Sequence, residues 1–134
     1  MRTKKNNRRR RRGVAVAEFA VCLPVMVLLV VGAVETSSMI FLKQSLTVAA
    51  YEGGRTAVVP EATTTDVTNT CNEILTDRRV NGGAVTVSPN VEAAAVGDFI
   101  QVTVTAPCDE NTIIAGRFFR NRTLTGTATY MKEF

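Results

Sequence analysis

Residues 14–34 read VAVAEFAVCLPVMVLLVVGAV, and everything on either side takes its meaning from that run. Glu18 is its one charged side chain. At about 1.5 Å per helical residue the run reaches about 31 Å, close to the ~30 Å hydrocarbon thickness of a bilayer. A cleaved secretory signal fits poorly, because the apolar stretch is too long and no small-x-small site follows it. A buried soluble helix fits worse, since Phe19–Ala33 shows no polar face. The run is expected to be a transmembrane helix in contact with the lipid bilayer.

The flanks give it a direction. Arg2, Lys4, Lys5 and Arg8 to Arg12 put eight positive charges and no negative one in the first 12 residues. Basic residues beside a span stay on the cytoplasmic side, so the C-terminal part is expected outside the cytoplasmic (inner) membrane. The net charge of +4 therefore describes the leader. A basic tail alone would suggest nucleic acid; placed against a membrane span it does not, and no nucleic acid partner is expected.

Past the membrane face the helical pattern persists. Glu35, Met39, Leu42, Leu46 and Ala49 form a stripe at spacings of 4, 3, 4 and 3. Gly53-Gly54 reads as the stop, giving one helix from about Val14 to Glu52, with Pro24 as an internal kink. A loop is expected over 55–65 and a second helix over Asp66–Arg79, with Val67, Cys71, Ile74 and Leu75 on one face. After the Asn81-Gly82-Gly83 turn the period falls to 2. Strands are expected at 84–88, around 100–105, and at 123–131, with a short helix or structured loop over 109–119 carrying Ile113, Ile114 and Phe118. The expected fold class is α+β and pilin-like: a long N-terminal transmembrane helix continuing into a small exported domain with a second helix and a three- to four-stranded antiparallel sheet. The expected divisions are 1–13 leader, 14–34 span, 35–54 exported helix and 55–134 exported α+β domain.

The chain has no histidine, hence no imidazole base, no histidine metal ligand and no Ser-His-Asp arrangement. No catalytic residues, no metal site and no cofactor are expected. Asp98, Asp109 and Glu110 read as turn and solvation residues. Cys71 and Cys108 in the exported part are a disulfide candidate, with two free buried thiols as the alternative; Cys22 belongs to the span. Glu18 is the costly residue of the span, and it needs either the headgroup region or a positive partner.

The stretch Arg10-Arg11-Arg12-Gly13-Val14-Ala15-Val16-Ala17-Glu18-Phe19-Ala20-Val21, followed by Leu23-Pro24, resembles the start of TadE-like pseudopilins of tight-adherence (Flp-type) pilus systems. Gly32-Ala33-Val34-Glu35, Ala49 to Arg55 and Val58-Val59-Pro60 extend the resemblance through about residue 60. It implies cleavage between Gly13 and Val14 by a membrane prepilin peptidase, and a role for Glu18, with Phe19 beside it, in processing or assembly. It further implies a minor or initiating subunit, whose partners are the major pilin, other minor pilins and the inner-membrane assembly platform. Glu18-Phe19 replaces the Glu-Tyr of the major pilins, which are also far shorter. The other reading of the same features is a single-pass envelope protein for adhesion or tethering that enters no filament.

Overall fold

The computed structural model describes residues 7–113, 119 and 121–133, with residues 7–12 described as backbone only. Five elements follow in order: α1 (Asn7–Ala57), α2 (Thr64–Asp77), β1 (Ala84–Ser88), β2 (Phe99–Pro107) and β3 (Thr123–Met131). The chain is α+β, with one three-stranded antiparallel sheet in the order β1-β2-β3. It divides into two compact units, residues 1–34 and 35–134.

In the N-terminal unit α1 presents its apolar side chains outward from Val14 to Val30, and Pro24 lies within it without ending it. This is the one candidate membrane span among the described residues, by length and composition.

The C-terminal unit has two layers. The inner face of β2, formed by Ile100, Val102, Val104 and Ala106, is buried throughout. Under it lie the second part of α1, through Leu42, Leu46, Ala49 and Ala50, and α2, through Val67, Cys71 and Leu75. The alternation of Val and Thr forces this arrangement, because a half-apolar sheet has to bury one face against something and two helices are at hand.

The expected stop at Gly53-Gly54 is not one. α1 runs on to Ala57. Both glycines are buried and serve close packing: a Cβ on Gly53 would lie 2.3 Å from Cys71 Sγ, and one on Gly54 would lie 2.4 Å from the Tyr130 ring. The glycines that read as punctuation are contact points for α2 and β3.

α2 starts two residues earlier than the periodicity indicates. Thr63 is its N-cap, accepting from Asp66 N at 3.2 Å while Asp66 Oδ2 accepts from Thr63 N at 2.9 Å. This reciprocal capping box satisfies two donors at the open end of the helix. Pro107 closes β2 from inside the strand. Its position extends past the end of β1, so the missing N–H removes no ladder bond. Of the 109–119 segment, Asp109–Asn111 form a turn and Ile113 is exposed, while Ile114 and Phe118 lie outside the described residues.

Candidate functional site

The N-terminal part of α1 holds four of the expected site residues. Gly13, Val14, Glu18 and Phe19 are all exposed on this helix, and nothing lies within 4 Å of a Cβ built on Gly13. Phe19, Leu23, Met26, Val27, Val30 and Val31 line one shallow hollow along its side. Their spacing of 4, 3, 1, 3 and 1 is that of a single helical stripe. An apolar stripe of this kind suits lipid or another helix, and Glu18 is the carboxylate nearest its start. From Val14 to Val31 the helix thus offers an apolar packing surface with Glu18 as its one charged side chain.

Glu35 opens the C-terminal unit. It is 1% exposed, and its Oε1 has no hydrogen-bond partner. An unsatisfied buried carboxylate oxygen costs about 1–3 kcal/mol. Glu35 stands at the head of the stripe that continues with Met39, Leu42 and Leu46, so its position on the covered face follows from the spacing, but its burial does not.

The expected Cys71–Cys108 disulfide is not formed; both thiols are free and buried. The reason is direction. Cys71 faces α1, donating from Sγ to the Ala49 carbonyl at 3.3 Å, and it sits over Gly53. Cys108 lies outside the contiguous apolar core, at the end of β2, where its N–H bonds Arg122 O at 2.8 Å. Burial raises the Cys71 thiol to about 11. Burial, and then the neighbouring Asp109 charge, also raise Cys108. Cys22 is on the exposed side of α1.

Asp98 and Asp109 stand at opposite ends of β2 and are not brought together. Asp98 Oδ2 accepts from Ala95 N at 2.8 Å, and Asp109 Oδ2 accepts from Asn121 N at 3.0 Å. Both cap turns. Among the described residues no group of three His, Cys, Asp or Glu side chains is arranged to hold a metal ion.

Missed from the sequence is a polar clamp between α2 and the β1–β2 connection. Glu92 accepts from Thr64 N at 2.8 Å and from Thr64 Oγ1 at 2.6 Å, while Val91 N donates to Thr64 Oγ1 at 3.0 Å. Lys132 Nζ donates to the Val91 and Ala94 carbonyls at 2.8 and 3.0 Å. No periodicity marks such partners, since they lie 27 to 41 residues apart in the chain.

Architecture and surface together define a class: a small α+β unit following one apolar helix of membrane-spanning length, as in a single-pass membrane protein. The family model described as TadE-like protein matches residues 13–55. That segment, which is under half of the chain, is similar to TadE-like proteins. Neither the curated proteins nor the solved structures yield a match to the chain.

Proposed function

We propose that this protein is a non-enzymatic minor or initiating subunit of a Tad (Flp-type) pilus, matured by a prepilin peptidase that cuts between Gly13 and Val14. The observation that carries this reading is the family match beginning at Gly13, immediately after the Arg8–Arg12 run and five residues before Glu18. The basic leader keeps the N-terminus cytoplasmic and the C-terminal unit outside the inner membrane. Cleavage removes all eight leader charges and leaves a new α-amine on Val14. That amine, in the same chain or in an adjacent subunit, is a natural partner for the Glu18 carboxylate in lipid. The exposed stripe from Phe19 to Val31 then packs against the helices of the major pilin, other minor pilins or the assembly platform.

Intact mass of membrane-extracted protein tests the maturation. A species starting at Val14 is expected. A chain retaining Arg8–Gly13 in cells with active peptidase defeats the proposal and favours a tethered envelope protein. Gly13→Leu should block the cut if the peptidase requires a small residue there. Glu18→Gln should preserve insertion and weaken cross-linking to other pilus components. Undiminished cross-linking with normal piliation would remove the carboxylate from the mechanism.

A further inference from the structure

Tyr51 and Tyr130 are the chain's two tyrosines, 79 residues apart in the sequence, and the fold brings them ring to ring. Their centroids lie 5.9 Å apart at an interplanar angle of 63°, an edge-to-face pair that joins α1 to β3. The two rings are held differently. Tyr130 is half-buried and lies against Gly54, where a Cβ would come within 2.4 Å of its Cδ2 and Cε2, so the helix backbone limits its movement. Tyr51 is 53% exposed and is free to turn about its side-chain bonds.

The phenol ends meet as well. Burial, and then a hydrogen bond with Tyr51, raise the Tyr130 phenol above its ordinary 10.0, as when its O–H donates to the Tyr51 oxygen. Each phenol oxygen stands between two ortho ring carbons, so neighbouring oxygens bring ortho carbons of the two rings close. The Glu52 carboxylate, ion-paired with Arg55 at 3.2 Å, is near enough to act on Tyr130. A phenol proton can therefore leave to that carboxylate, or to water over the exposed Tyr51.

We propose that Tyr51 and Tyr130 form an oxidative cross-linking site, closed as a dityrosine bridge by hydrogen peroxide acting through a haem-type peroxidase. Each phenol gives up one electron and its O–H proton. The two phenoxyl radicals couple through one ortho carbon of each ring, Cε to Cε, and each ring then returns that carbon's hydrogen to its oxygen. The protein loses two hydrogens in all, and one hydrogen peroxide becomes two waters. Proximity favours this pairing over any between chains, because rings held in contact react at an effective concentration far above that of free protein. The bridge ties β3 to α1 across 79 residues in a unit whose cysteines are free, and it restricts the unfolded chain as a disulfide would. The proposal does not rest on the pilus reading, since both rings belong to the C-terminal unit whether or not it enters a filament.

Treatment of full-length, detergent-solubilised protein with a haem peroxidase and hydrogen peroxide tests it. The chain has no tryptophan, so dityrosine fluorescence reads cleanly. The expected product is a monomer lighter by two hydrogens, with the tryptic peptides 44–55 and 123–132 joined through Tyr51 and Tyr130. Its yield should hold on about tenfold dilution, as for a reaction within one chain. Tyr51→Phe and Tyr130→Phe each keep a ring for packing and lack the oxidisable phenol, so each should abolish the bridged monomer. Protease resistance of the C-terminal unit checks that both variants are folded, and the peptide map of the parent chain stands even if one is not. Three outcomes overturn the proposal: dityrosine confined to covalent dimers, a monomer yield that falls with dilution, or a monomer in which both tyrosines survive the treatment unjoined.

Discussion

Gly126 of β3 rests directly on the backbone of Leu46 in α1: a Cβ at position 126 would come within 2.4 Å of the Leu46 carbonyl carbon and oxygen. Strand and helix meet here with no side chain between them. Backbone cannot swing away as a long side chain can, so the contact fixes the spacing of the two layers. Gly126→Ala should destabilise the C-terminal unit by about 1–3 kcal/mol, the usual cost of overpacking, and more if β3 is lifted off the helix. Chemical denaturation of the detergent-solubilised protein, followed by protease susceptibility, would measure it. An unchanged midpoint would mean that the layers separate freely.

Gly53 gives a coupled test. Its missing Cβ makes room for Cys71 Sγ. Gly53→Ala alone should destabilise, and adding Cys71→Ala should recover part of the loss, because the second change removes the atom that the first one strikes. Residues in contact give such non-additive pairs, with coupling of about 0.5–3 kcal/mol. Strict additivity in a double-mutant cycle would separate the two positions.

Thiol chemistry follows from the free, buried cysteines. In denatured, unreduced protein all three should alkylate. In the native state Cys71 and Cys108 should react far more slowly than after unfolding, because both are covered and burial holds their thiols protonated. A single reactive thiol after denaturation would instead require a disulfide. Cys71 also gives an alkaline limit. Its folded value of about 11 lies above the ordinary thiol value of 9.0, so above pH 9 the unfolded chain releases a proton that the folded one keeps. Stability from this group is therefore fully present below 9 and declines as pH rises toward 11.

The start of α2 sets the acid limit. Hydrogen bonds from Thr63 hold the Asp66 carboxyl below its ordinary value of 3.8, and hydrogen bonds involving Thr64 hold Glu92 below the ordinary 4.5. Both are depressed, so their contribution is present above those values and is lost as pH falls through the folded ones. Thr63→Ala should cost about 0.5–2 kcal/mol by removing the N-cap. Glu92→Gln should flatten the acid side of the stability profile, and amide exchange should quicken first around Val91 and Thr64. An acid profile identical to that of the parent chain would show the clamp to be idle.

The local code was strong enough to specify most elements. The run from Val14 to Val34, apolar but for Glu18, is long and apolar enough to cross a membrane, and the alternation at 84–88 and 123–131 puts every second residue on one face. Strand bounds at those two places follow directly from the sequence, as does the face of α2 that bears Val67, Cys71 and Leu75. Those are statements about neighbours two to four residues apart. What lay beyond them needed the folded chain. Whether Gly53-Gly54 ended a helix or opened it to packing depended on Cys71 and Tyr130, 18 and 76 residues further along. The free thiols were decided by which layer each cysteine faced, and the clamp of Glu92 and Lys132 by segments that only the tertiary fold brings together. Periodicity records the face on which a side chain lies; it carries no information about the partner that arrives from a distant part of the chain to cover it.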